Sequence, residues 1–210
     1  MLNSQDDEEL PPLKIRCTGN DCDHDLHCFL KTRSMAPEAR GTCRECGADL
    51  VDWDRVQAQC LDDVAYTFKT LKYEYVRHHF WHAYITPRAI NYARRKGREG
   101  LRRAAEGRVR SSVGKARADL FRDGTQTTTD PEKMDLLHYA QHATAACCRK
   151  CMEEWHGISP ERALRDEEVA YLTALLMLYV GERLPDLAEQ GVKIAPIRKP
   201  STMHRAQESE

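Results

Sequence analysis

Between Gln141 and Ile158 the chain reads Gln-His-Ala-Thr-Ala-Ala-Cys-Cys-Arg-Lys-Cys-Met-Glu-Glu-Trp-His-Gly-Ile, so three cysteines and two histidines fall within fifteen residues. Thiols and imidazoles at this density supply metal ligands, redox pairs or a base, and ordinary core packing does not require them. A second set lies nearer the N-terminus: Cys17 and Cys22, then Cys43 and Cys46 followed by Gly47. Two tight turns that each present two thiolates meet the needs of a tetrahedral zinc ion without a large core. Gly47 suits a turn that brings backbone amides toward sulfur and favours positive φ. His24, His27 and Cys28 lie in the intervening loop and can each replace one ligand. Most closed four-ligand sites are structural, so Zn is expected here as a stabiliser of residues 13–52, a small zinc-ribbon-like module, and does not by itself imply catalysis.

These groups need helices to position them. Val56, Cys60, Val64, Phe68, Leu71 and Tyr75 recur at intervals of three or four, the stripe of a helix that starts near Trp53 with Asp52 or Asp54 as its cap. If that helix runs on to about Tyr84, Glu74, His78 and His82 share one face and can hold a metal or position a base. The run His78-His79-Phe80-Trp81-His82 reads equally as aromatic packing at a helix end. Asp130-Pro131-Glu132 starts a helix toward Trp155 on which His138 and His142 are one turn apart and His156 returns to nearly the same direction. Cys147 and Cys151 then point to the opposite side, so one ion cannot take all five from an unbroken helix. Either the helix breaks between Ala145 and Cys148, or the two residue types serve different purposes. In the second case the cysteines pack as small apolar side chains, and the histidines meet Glu74, His78 or His82 between helices.

Residues 88–117 carry eleven basic side chains against Glu99 and Glu106. The candidates for nucleic-acid contact are Arg94, Arg95, Lys96, Arg98, Arg102, Arg103, Arg108 and Arg110. Such a face binds phosphates by releasing counterions, with strong salt dependence and little sequence preference. Gly97, Gly100, Gly107 and Gly114 predict a segment divided into short helices and turns. The formal net charge of -1 hides this patch, because Asp6, Asp7, Glu8 and Glu9 sit in an acidic tail over residues 1–12. Thr86-Pro87 opens the basic segment as cap and first helical residue. A closing helix from Asp166 buries Val169, Leu172, Leu176 and Val180 and ends at Pro185, leaving residues 185–210 as a tail.

The longest apolar stretch, Leu172 to Val180, is about half of a membrane span, and nine cysteines in short-spaced sets suit metal ligation in a reducing compartment. The expectation is a cytoplasmic protein.

Asp123-Gly124-x-Gln126-Thr127, Gln141-His142-Ala143-Thr144-x-x-Cys147-Cys148-Arg149-x-Cys151 and Trp155-His156-Gly157-Ile158 together resemble the signature of a bacterial and phage family known as domain of unknown function 4186. The resemblance is strongest from Phe121 to Ile158. Thr128-Thr129 stand where that family often has Pro-Met. It implies that the His/Cys cluster is a functional signature and brings no activity with it.

The sequence therefore predicts a mainly α protein, with the zinc module joined to a helical domain over residues 53–184. The leading expectation for function is nucleic-acid binding through the basic segment. A metal-dependent hydrolase using His138, His142 and His156 with Glu74, His78 or His82 is the alternative, with Cys147, Cys148 and Cys151 as a candidate second metal site. A structural protein-interaction module is the third.

Overall fold

The computed structural model describes residues 17–31, 41–124 and 135–194. The tail over 1–12, Gln126-Thr127, the start at Asp130-Pro131-Glu132 and the end of the chain from 195 fall outside them. The described residues are mainly helical, with no β-strand and two isolated bridges, Asp21 to Leu26 and His27 to Glu74. No helix among them is long and apolar enough to cross a membrane.

The single helix expected from Trp53 is three short ones: α1 (Trp53–Gln57), α2 (Val64–Thr70) and α3 (Tyr75–His82). Asp52 caps α1 by accepting the Arg55 N–H at 3.1 Å. Gln59, at φ +53, turns the chain after α1, and Cys60 is exposed rather than part of the core. Glu74 is extended, at φ -87 and ψ 124, because its neighbours bond to the N-terminal loop. The His27 N–H donates to the Tyr73 carbonyl at 2.7 Å and the Tyr75 N–H to the His27 carbonyl at 2.9 Å. Glu74, His78 and His82 therefore do not ride one continuous helix.

Helix α4 (Pro87–Val113) starts as expected, with the Thr86 hydroxyl accepting the Ala89 N–H at 3.3 Å. It buries a thin stripe of Ala89, Ala93, Leu101, Ala105, Val109 and Val113. Only Gly97 interrupts it, at φ +64 and ψ 175, while Gly100 and Gly107 stay helical and Gly114 is the C-terminal cap. The amides of Arg98 and Glu99, orphaned by the kink, donate to the Ala188 and Glu189 carbonyls at 2.9 and 3.2 Å. A Cβ on Gly97 would lie 2.4 Å from the Gln190 backbone, so glycine is required for both conformation and space.

The helix expected to run unbroken to Trp155 is divided into α5 (Leu136–Ala143) and α6 (Arg149–His156). Asp135 caps α5 through the His138 N–H at 2.8 Å. Helix α7 (Asp166–Arg183) closes the fold against α2, α4 and α5 and stops before Pro185. Its Glu168 carboxylate accepts the Arg165 N–H at 2.8 Å and pairs with Arg162, which holds the acid at about 2 against the cost of burial. The N-terminal loops share this core: Phe29, Trp53 and Trp155 form an aromatic triangle with ring centroids 5.2 to 6.0 Å apart.

Candidate metal centres

Two groups of ligand atoms converge, each with all members within 4.8 Å of one another. The first joins Cys22, His27, Cys43 and Cys46. His27 takes the place that spacing alone gave to Cys17, because its backbone is strapped to Tyr73 and Tyr75 and its ring is thereby aimed at the Cys43–Cys46 turn. Cys22 Sγ and Cys43 Sγ are 3.7 Å apart, and His27 Nδ1 is 3.3 Å from Cys46 Sγ. A tetrahedron with metal–sulfur bonds of about 2.3 Å has edges of about 3.8 Å, so the spacing fits four-coordinate binding. Gly47, at φ +75, donates its N–H to the Cys43 carbonyl at 2.8 Å and lets the turn close. Burial opposes ionisation of Cys43, but backbone amides of Cys46, Cys28 and Glu45 together with His27 bring its thiol down to about 6. Burial and hydrogen bonds with Cys46 and Cys43 push Cys22 up to about 12, so a metal bound here displaces its proton.

The second group is Cys147, Cys148 and Cys151, two of them buried and Cys148 half-buried. It exists because the helix breaks: Ala145 adopts φ +54, and α6 restarts with the Cys148 Sγ accepting the Cys151 N–H at 3.4 Å. Polar side chains fix the break. Gln141 donates to the Ala146 carbonyl at 3.2 Å, His156 meets the Thr144 carbonyl at 3.0 Å, and Asp123 accepts the Arg149 N–H at 2.8 Å. Gly124, at φ +84, leaves no room for a Cβ, which would lie 2.2 Å from the Cys147 carbonyl oxygen. The Arg149 guanidinium is buried and donates to the carbonyls of Val113, Ser159 and Arg162.

Arg77 faces the three thiols. Its Nη2 donates to Cys151 Sγ at 3.2 Å and its Nη1 to the His142 carbonyl at 2.8 Å, while Nε donates to Glu74 Oε2 at 2.8 Å. Trp155 Nε1 donates to that same carboxylate oxygen at 2.8 Å. Hydrogen bonds from Cys147 and Cys148, then Arg77, outweigh burial and hold Cys151 well below the ordinary thiol range. Cys147, sharing hydrogen bonds with Cys148 and Cys151 in a buried setting, is held well above it. Three thiols this close keep their protons unevenly until a cation joins them. Glu154, mostly shielded and 3.9 Å from Lys150, is raised by burial to about 7. Sequence spacing gave no signal that Arg77 meets the cysteines, since Cys147, Cys151 and the His142 carbonyl lie 65 to 74 residues further along.

The candidate catalytic residues are dispersed. His138 and His142 are neighbours on α5, ring centroids 4.7 Å apart, with His142 stacked on Phe80 at 4.5 Å. His78 and His82 pair on α3 at 4.1 Å. Glu74 is committed to Arg77 and Trp155, and His156 to Thr144 and Tyr171. Burial lowers His156 to about 4 and keeps it neutral. Among the described residues these side chains form no ligand group of three or more.

Of the basic candidates, Arg98 donates to the carbonyls of Leu187 and Pro185, Arg108 pairs with Asp135, and Arg110 with Glu106 and Asp166. Arg103 is 3.8 Å from Glu99. Arg94, Arg95, Lys96 and Arg102 are exposed and make no carboxylate pair with another described residue. Arg95, Lys96 and Arg103 line a shallow groove of about 520 Å³ with Gly100, Ala104, Gln190 and Gly191.

A helical protein with two cysteine-rich clusters, one on loops and one at a helix break, is the class that this geometry defines. The model of the family described as Domain of unknown function (DUF4186) matches residues 65–181, more than half of the chain, and the protein belongs to that family. The matched stretch includes Arg77, α4 and the three-cysteine cluster; the first cluster lies outside it. No solved structure matches the chain.

Proposed function

We propose that this protein binds DNA or RNA through the solvent face of α4, on a scaffold held by zinc. The observation that carries the reading is the division of labour among the basic residues. Arg98, Arg108 and Arg110 are tied to carbonyls and carboxylates of the fold, while Arg94, Arg95, Lys96 and Arg102 are exposed to solvent and make no carboxylate pair with another described residue. Exposed cations that make no carboxylate pair among the described residues and lie beside a groove attract a phosphate backbone and release its counterions. Zinc is supported by the donor set of three thiols and one imidazole and by the 3.7 Å sulfur separation. A cytoplasmic setting keeps such thiols reduced.

The test is fluorescence anisotropy with a labelled 20-base-pair duplex and a single-stranded RNA of equal length, across a salt series. Reversing Arg94, Arg95, Lys96 and Arg102 to Glu is expected to lower affinity at least about tenfold at ~0.1 M salt and to flatten the salt dependence. The helical circular-dichroism signal should not change. Equal affinity in the wild type and the reversed variant would remove the reading.

A further inference from the structure

The three-cysteine group is one ligand short of a closed tetrahedral site. The remaining cysteines narrow the source of a fourth. Three of the nine serve the first cluster; Cys60 is exposed on the turn after α1, and Cys28 is buried with its Sγ donating to the Cys17 carbonyl at 3.6 Å. That leaves Cys17, released from the first cluster because His27 occupies its place. The Cys28–Cys17 contact and the packing of Phe29 on Trp155 at 5.9 Å hold the start of the described chain over α6, the helix that carries Cys151.

We propose that Cys17 is the fourth ligand of a second, all-thiolate zinc site with Cys147, Cys148 and Cys151. Cys17 stands outside the 4.8 Å trio at an exposed position, so ligation requires its side chain to change rotamer and turn inward. The Cys17 carbonyl accepts from Cys28, whose neighbour His27 is bonded on both sides of Glu74, and Glu74 in turn holds Arg77 against Cys151. A zinc ion with four thiolates carries two negative charges, and Arg77 supplies a cation beside it. The hydrogen bond from Arg77 to Cys151 Sγ is the support that a buried thiolate ligand needs. The site would tie the N-terminal loops, which lie outside the family's matched stretch, to the cluster within it.

The competitor for the fourth position is Glu154, a mostly shielded carboxylate three residues after Cys151. Zinc content and zinc-edge X-ray absorption on the full chain, with Cys17→Ser, Cys17→His and Glu154→Gln variants, separate the two. The wild type should hold about two zinc ions with an average near 3.5 sulfurs each, whereas an oxygen in the fourth position gives about 3.0. Cys17→Ser should release one zinc to a competing chelator at least about tenfold more readily, and Cys17→His should keep both ions at an average of about 3.0 sulfurs. Glu154→Gln should change neither quantity. A wild-type average of 3.0, zinc loss on Glu154→Gln with Cys17→Ser unaffected, or a second ion that is iron would each overturn the proposal. The wild-type measurement decides even if a variant fails to fold.

Discussion

Cys22, His27, Cys43 and Cys46 are carried by loops with little core of their own, whereas Cys147, Cys148 and Cys151 sit at a break between two helices whose surroundings are buried. In the first cluster the polar links between the described residues 17–31 and 41–52 are the Cys22–Cys43 and His27–Cys46 contacts and the Arg44 N–H donating to the Cys28 carbonyl at 3.0 Å. In the second, Gln141, His156, Asp123 and Arg149 fix the backbone independently of any ion. Removing metal should therefore unfold one region and only loosen the other. The two are also joined. His27 is strapped to the backbone around Glu74, Glu74 holds Arg77, and Arg77 touches Cys151.

The largest expected effect breaks the comparison at the first cluster. Structural zinc is linked to roughly 10 kcal/mol or more of folding free energy in small modules at neutral pH. Cys43→Ser should leave the amides of Arg44 and Gly47 unprotected in hydrogen exchange while α4 and α7 keep their protection. Equal protection in the variant would show that the loops fold without their ion.

Arg77→Met comes next. It strands a buried carboxylate and removes the cation facing Cys151, a class of change that costs about 3–5 kcal/mol. Urea denaturation should show that loss, and adding Glu74→Gln should recover part of it. A cost below about 1 kcal/mol would mean that the pair is not the link between the clusters.

A smaller effect is tied to pH. His156 has a folded value of about 4 against an ordinary 6.5, so its contribution is complete above 6.5 and is lost as pH falls toward 4. The change amounts to about 3 kcal/mol across that window. Denaturation series of the wild type and His156→Gln should differ in slope between those limits, and parallel curves would contradict the buried neutral imidazole. The smallest effect is Arg102→Glu, whose exposed side chain should alter stability by no more than ~0.5 kcal/mol.

The sequence made the second cluster legible as a place where a helix must break or the ligands part company, because five ligands cannot meet on one side of a continuous rod. It could not choose between those outcomes, since the choice rests on Gln141, Asp123 and Arg149 reaching distant carbonyls and amides. Cys43 and Cys46 were readable from their spacing. His27 displaced Cys17 through a backbone bridge to Glu74, a contact between segments 47 residues apart that no local pattern encodes. The same bridge ended the helix expected through Glu74, so that one long-range contact accounts for both departures. The i,i+3 spacing of Glu74 and Arg77 gave no sign that the guanidinium reaches Cys151, 74 residues on. Glycine was over-read in the basic segment: Gly97 breaks α4 because residues 188–192 press against it, whereas Gly100 and Gly107 meet no such demand.

The most direct test of a two-centre protein is zinc per chain, measured on protein purified without added metal, for the wild type and two double variants. About two ions are expected in the wild type, with one remaining after Cys43→Ser/Cys46→Ser and one after Cys147→Ser/Cys151→Ser. A single ion in the wild type that vanishes with Cys43 and Cys46 and persists without Cys147 and Cys151 would contradict the account.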